Sequence, residues 1–312
     1  FAGPGGEISA DLLAEADRAM YQAKRKGGGS HQIIDLREAL RTLDHNSLAA
    51  DLRVAFAHDT LEVAYQPVVR STDGLMTGVE ALLRWTDPLR GQVSPHAVVR
   101  VAEQSALINQ IGTWVLERAC RARGTWLKHY PLAPLDLAVN VSARQLVTPD
   151  FMATVAEVLR KTGMDPRALI LEMTEDILIE DTDLAMTVLR ELRDLDIRIA
   201  LDDFGTGFSS LSYLRRLPID IVKIDQGFIA DIGVAPEGRE IAAAVTNLAH
   251  VLGKSVTAEG VETEDQRDAV ADMGCELAQG YYFGRPMRAA GIAARLSIGS
   301  VGPPNLPILT MS

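Results

Sequence analysis

Between Val63 and Gln279 the chain alternates short apolar runs with helical stretches of about 10–20 residues, and this alternation leaves few folds open. The runs are Val63–Val69, Leu75–Trp85, Leu135–Val141, Leu169–Met173, Ile197–Leu201, Ile219–Ile224, Ser255–Ala258 and Glu276–Gln279. Strands joined through helices lie parallel, because a parallel pair needs a long crossover connection. The number of units and the length predict an α/β fold, a (β/α)8 TIM-like barrel. The first two runs depart from that scheme. Ser71-Thr72-Asp73-Gly74 between them reads as a hairpin turn, so one barrel strand should be antiparallel.

The flanks have a different character. Ile8 to Lys26 reads as one amphipathic helix, with Leu12, Ala16, Ala19, Met20 and Ala23 at helical spacing. Ser9 is placed to cap it, and Gly27-Gly28-Gly29 ends it after a cationic last turn. Residues 31–60 look helical again, through Leu36, Leu40, Leu43, Leu48, Leu52 and Phe56. We therefore expect a separate helical segment over 1–30, a linker helix over 31–47, the barrel over 48–295, and a Gly/Pro-rich loose tail over 296–312. The chain opens on Phe1-Ala2-Gly3-Pro4, without Met or a signal pattern, which suggests a piece of a longer polypeptide. No apolar run approaches the ~18 residues that span a bilayer. We expect a cytoplasmic protein, with any membrane anchor in a region upstream.

A net charge of −11 argues against a nucleic-acid coat or a polybasic membrane anchor, so no DNA or RNA polymer is expected as partner. Two cysteines without CxxC spacing, Cys120 and Cys275, read as buried free thiols. The six histidines are scattered, with no HxH or HExxH spacing, which disfavours zinc or a di-iron site.

The informative residues stand at the strand ends, where a barrel builds its active site. Glu80, Asn140, Glu172, Asp202 with Asp203, Lys223, Glu259 and Gln279 all occupy such positions, and Arg84 follows Glu80 at the same parity. One polar strand end is unremarkable; a barrel mouth ringed by them is not. Carboxylates so gathered repel one another and need protons or metal ions to neutralise them. Glu80, Asn140, Glu172, Asp202, Asp203 and Glu259 offer only oxygen, which suits Mg²⁺ or Mn²⁺.

Adjacent strand residues point to opposite faces, so Asp202 and Asp203 reach one site only if the chain turns there. Gly205 and Gly207 are expected to permit that turn. Two aspartates at a turn suit a pair of cations arranged for displacement at phosphorus. Lys223 in such a mouth would stabilise a pentacoordinate phosphorus or hold an attacking water, or pair with a carboxylate. Gly253-Lys254-Ser255 lacks the first glycine of a phosphate-binding loop, and no Gly-x-Ser-x-Gly elbow is present.

These residues resemble a known family. Glu80-Ala81-Leu82-Leu83-Arg84-Trp85 is similar to the motif for which EAL domains are named. The likeness continues through Gln66-Pro67, Asn140-Val141-Ser142, Leu171-Glu172-Met173-Thr174-Glu175, Asp202-Asp203-Phe204-Gly205-Thr206-Gly207, Lys223-Ile224-Asp225, Ala258-Glu259-Gly260-Val261-Glu262 and Gln279-Gly280-Tyr281, over about residues 48–292. The resemblance implies a phosphodiesterase that opens cyclic di-GMP to linear pGpG with two Mg²⁺ or Mn²⁺ ions. It implies that Glu80, Asn140, Glu172 and Asp202 hold one ion, and that Asp202 and Asp203 bridge to the second, near Glu259 and Gln279. Lys223 would position the attacking water, Glu259 act as base, Gln66 and Arg84 contact the ligand, and Glu175 and Glu262 brace the loop that begins at Asp203. Met173 stands where leucine is commoner, a volume-conserving swap.

Ala16-Asp17-Arg18-Ala19-Met20-Tyr21-Gln22-Ala23-Lys24 resembles the last helix of a GGDEF domain. This implies a composite GGDEF–EAL protein cut late in its first domain, with a GGDEF or sensor domain upstream. A non-hydrolysing cyclic di-GMP receptor is the competing expectation, against which stands the full set of metal ligands. The resemblance also implies a homodimer formed through the EAL domain, whose loop after Asp203 would act as the switch.

Overall fold

A computed structural model describes residues 36–175, 182–205, 214–232 and 236–298. The helix expected over Ile8–Lys26 lies outside the described residues, as does Gly207. The chain divides into two compact units, Phe1–Leu52 and Arg53–Ser312. A helix over Leu36–Ala57 covers the described part of the first and the opening of the second.

In the second unit eight strands close a barrel: β1 (Glu62–Arg70), β2 (Met76–Asp87), β4 (Asp136–Asn140), β5 (Leu169–Thr174), β6 (Arg198–Phe204), β7 (Ile221–Ile224), β8 (Ser255–Ala258) and β9 (Leu277–Gln279). A ninth, β3 (Gly91–Val93), pairs only with the extension of β2. The strand order is β1-β9-β8-β7-β6-β5-β4-β2, and β1 pairs back with β2 to complete the ring. β1 is antiparallel to both neighbours, while the other barrel pairs are parallel, as the hairpin required. Short β3 was not anticipated: three residues are too few for a periodicity. The tail expected from Leu296 is helical further on, since Leu296 is buried in the helix Ala289–Ile298.

Strand period places the site. Gly78, Ala138, Ile170, Ile221, Thr257 and Leu277 surround a cavity of about 20 Å³ in the lumen, and Ala200 packs with Ala138, Ile170 and Ile221 in the same layer. Side chains repeat their direction every second residue. Two positions further along each strand or its end therefore stand Glu80, Asn140, Glu172, Lys223, Glu259, Gln279 and Asp202. One small, mostly apolar layer plugs the barrel, and the next layer toward the C-terminal ends is polar. Cys120 and Cys275 are buried and unpaired, as expected. No helix among the described residues is long and apolar enough to cross a membrane.

Candidate active site

Lys223 is the centre of the polar layer. Its side chain is 2% exposed, and Nζ lies 2.6 Å from Glu259 Oε1, 2.8 Å from Glu172 Oε2, 3.1 Å from Asp202 Oδ1 and 3.9 Å from Glu80 Oε2. These carboxylates come from four other strands or strand ends, so barrel closure assembles the cluster. Glu80 is fixed from both sides. Asn140 Nδ2 donates to its Oε1 at 2.6 Å, and Gln279 Nε2 donates to its Oε2 at 2.5 Å. Gln279 also donates to Gln66 Oε1 at 3.2 Å, and Gln66 donates to the Gly284 carbonyl. Cross-strand register explains this chain: Gln66 stands opposite Glu80, and Val68 opposite Gln279.

The turn that brings Asp203 to the site differs from the expectation. The left-handed residue is Asp203 itself, at φ 53°, next to a register break between Leu201 and Phe204 in the β6–β7 pairing. The Asp203 amide donates to the preceding side chain, Asp202 Oδ1, at 3.0 Å, and aspartate is among the few non-glycine residues that visit this conformation. Gly205 then takes φ +99°, and a Cβ there would stand 2.8 Å from Phe228 Cε2, so only glycine fits. Its amide donates to Glu175 Oε1 at 3.2 Å, which ties the end of β6 to the end of β5. A left-handed non-glycine costs about 1–3 kcal/mol and persists where its surroundings enforce it.

The result is that one oxygen each of Asp202, Asp203 and Glu259 lie within 4.8 Å of one another. Four carboxylates, Glu80, Glu172, Asp202 and Glu259, surround one ammonium and Asp203 joins them at the edge, so full ionisation of the five leaves a formal charge of −4, which divalent cations would balance. Gln279 Oε1 is buried without a hydrogen-bond partner, a further oxygen available to a hydrated ion. Hard oxygen donors with no sulfur or imidazole fit Mg²⁺ or Mn²⁺. The residues present thus suit such ions.

Electrostatics separates the carboxyls. Burial raises Glu80, but Lys223 and the Gln279 and Asn140 amides outweigh it and hold Glu80 below the ordinary carboxylate range. Burial lifts Glu172 well above that range, against Lys223 and with Glu80, Asp202 and Glu259 adding to the lift. Burial, opposed by Lys223 and reinforced by Asp202 and Glu80, pushes Glu259 up to about 8. Asp203 is raised by burial and by Asp202 and Asp225. Burial disfavours the Lys223 charge, yet the surrounding carboxylates prevail and hold its pKa well above the ordinary lysine value. In the absence of cations the site therefore holds protons on carboxyls and keeps its lysine charged.

Above the layer opens a cleft of about 1040 Å³. Glu80, Asn140, Asp202, Asp203, Glu259 and Gln279 line its floor, and Gln66, Arg84 and Glu262 line it too. Glu172 and Lys223 sit beneath, out of its lining. The Arg84 guanidinium donates to the Leu83 carbonyl; burial lowers its pKa, opposed by the Glu80 carboxylate. Glu262 is exposed, and the segment it was expected to brace extends outside the described residues. Other lining residues had escaped notice, among them His96 and Arg100 on the helix Pro95–Gln104. Their spacing reads as an ordinary solvated face, and only the helix position turns that face to the cleft. The Gly253-Lys254-Ser255 lookalike has another use: Lys254 Nζ donates to the Ile219 carbonyl at 2.5 Å.

Residues 49–286 match the EAL domain family. MucR of Pseudomonas aeruginosa, described as a bifunctional diguanylate cyclase/cyclic di-GMP phosphodiesterase, is 38% identical over 295 residues, 94% of this chain and 43% of that protein. The solved c-di-GMP complex of the PaMucR phosphodiesterase superposes with TM-score 0.75 at 41% identity, covering 79% of this chain and 99% of that one. The EAL enzyme Bd1971, bound to cAMP and cyclic-di-GMP, gives TM-score 0.80 at 29% identity over 94% of this chain and 77% of that one. The chain spans between 34% and 49% of the length of the curated relatives it matches. With the sequence match, the barrel closure and the strand-end carboxylates in agreement, this chain belongs to the EAL domain family.

Proposed function

We propose that this chain is a metal-dependent phosphodiesterase that hydrolyses cyclic di-GMP to linear 5′-pGpG. The observation that carries the reading is the convergence of four carboxylates on one buried ammonium beneath a large cleft, with Asp203 beside two of them. The naming of MucR as a cyclic di-GMP phosphodiesterase and the cyclic di-GMP held by the PaMucR domain support the substrate.

Glu80, Asn140, Glu172, Asp202, Asp203 and Glu259 would hold two Mg²⁺ or Mn²⁺ ions. Such ions, when bound, lower the pKa of coordinated water and polarise phosphoryl oxygens. The rest is the work of this chain. Lys223 holds Glu172, Asp202 and Glu259 in one orientation, and from beneath the floor its positive charge would favour the negative charge that builds on a phosphoryl group above. Burial and its acidic neighbours raise Glu259, so without cations it holds a proton; once cations displaced that proton, its carboxylate would be free to take one from the attacking water. Water oxygen bonds to phosphorus, the P–O3′ bond breaks, and the 3′ oxygen leaves as a hydroxyl once protonated. Gln66, Arg84 and Gln279 would orient the ligand, while Glu175 and Glu262 steady the loop after Asp203.

The remaining parts of the reading concern the longer protein. We read residues 1–30 as the end of a GGDEF domain, 31–47 as a linker and 296–312 as a tail, in a cytoplasmic homodimer with a GGDEF or sensor domain upstream. The MucR match covers 94% of this chain, beyond the EAL segment, and MucR is described as a diguanylate cyclase as well, which supports a GGDEF domain upstream. The deciding experiment follows cyclic di-GMP chromatographically with Mg²⁺, Mn²⁺ or chelator. Formation of pGpG only with metal is expected. Intact ligand in all three, with tight calorimetric binding, would make the chain a receptor instead.

A further inference from the structure

The acidic floor accounts for one phosphate of a cyclic dinucleotide and leaves the other unattended. The two phosphodiesters of such a ring are separated by a nucleoside along either path, so they cannot both sit on one cluster of cations. The second negative charge needs a basic group on the cleft wall. Among the described residues the wall offers three basic side chains: Arg84, His96 and Arg100. The Arg84 guanidinium already donates to the Leu83 carbonyl, and His96 lies close enough to Asp203 to influence its charge. Arg100 is uncommitted: its guanidinium has no hydrogen bond or ion pair among the described residues.

Its position is set by the helix Pro95–Gln104. Ser94 caps that helix by accepting from the Ala97 amide at 3.3 Å, and Pro95 opens it. Val98, Val101 and Ala102 are buried and fix its rotation. The cleft-lining residues His96, Val99, Arg100 and Glu103 follow at i, i+3, i+4 and i+7, which is one helical face. Arg100 is therefore held at the wall by a packed helix, even though Glu103 stands a turn away without pairing to it.

We propose that Arg100 binds the phosphodiester that is not being cleaved, and so selects a ligand with two phosphates over a simple diester. This rests on the cyclic di-GMP reading. The planar guanidinium fork matches phosphate oxygens bidentately and stays charged at any working pH. Because the bond it recognises is distant from the reacting phosphorus, its effect falls on substrate capture rather than on the chemical step.

The test compares wild type, Arg100→Gln and Arg100→Lys in Mn²⁺ on two substrates, cyclic di-GMP and bis(p-nitrophenyl) phosphate, which has one phosphodiester. We expect Arg100→Gln to raise KM for cyclic di-GMP about tenfold, with kcat within twofold, and Arg100→Lys to fall between. The ratio of kcat/KM for cyclic di-GMP to that for the single diester should fall about tenfold. An unchanged KM, or equal losses on both substrates, would overturn the assignment. A wild-type protein that cleaves the single diester but not cyclic di-GMP would overturn the substrate reading itself, and is told apart by that arm alone.

Discussion

Replacing Lys223 by Met keeps a long flexible side chain in the barrel and removes the ammonium, its charge and its hydrogen bonds together, so it measures what that group does. Four carboxylates at 2.6–3.9 Å lose their common counter-ion. Removing one partner from a buried ion pair typically costs about 3–5 kcal/mol. The cost does not multiply by four, because the carboxyls respond by taking up protons. In a unit of this size each kcal/mol lowers Tm by roughly 2–4 °C, so the loss should be roughly 6–20 °C.

The pH dependence follows from the directions already given. Glu172 and Glu259 bind protons more tightly folded than unfolded even with Lys223 present. Without it they are raised further. A carboxyl raised on folding costs nothing below its ordinary value, and its penalty grows as pH climbs toward the folded value. The deficit of Lys223→Met should therefore be small near pH 5 and large near pH 8. Urea unfolding in chelator at both pH values measures it, and Mn²⁺ should restore more stability to the variant than it adds to wild type. A deficit below about 1 kcal/mol at pH 8, or one of equal size at pH 5, would refute the view that Lys223 balances this cluster.

Three further outcomes are expected. Asp203→Asn removes a carboxyl that burial, Asp202 and Asp225 all disfavour, and asparagine tolerates the left-handed backbone; Tm in chelator should rise while turnover with Mn²⁺ falls at least tenfold. Gly205→Ala sets a Cβ against Phe228 at φ +99°, so Tm and turnover should fall together, with about 1–3 kcal/mol lost in denaturant unfolding. Mn²⁺ must displace protons from raised carboxyls, so calorimetric affinity should strengthen from pH 6 to pH 8 and level off above the Glu259 value of about 8, with proton release visible in buffers of different ionisation enthalpy.

Much of this protein is written in local pattern. The strand runs, the hairpin Ser71–Gly74 and the long helices between strands determine a barrel with one reversed strand, because period and turn chemistry act over a few residues. The polar strand ends are equally local: two residues beyond Ala138, Ile170 and Ile221 the parity rule alone delivers Asn140, Glu172 and Lys223 to one layer. What the chain could not disclose by itself is everything that depends on lateral neighbours. Closure of β1 onto β2 and β9 decides that Gln66, Glu80 and Gln279 share one hydrogen-bond chain, and that Lys223 meets carboxylates from four other strand positions at once. The same holds for Asp203, whose left-handed backbone depends on a register break against β7. His96 and Arg100 look like solvent-facing helix residues until the barrel places their helix beside the cleft. Periodicity specifies which way a side chain points, but electrostatic partners are chosen by non-local packing, and only the folded barrel determines them.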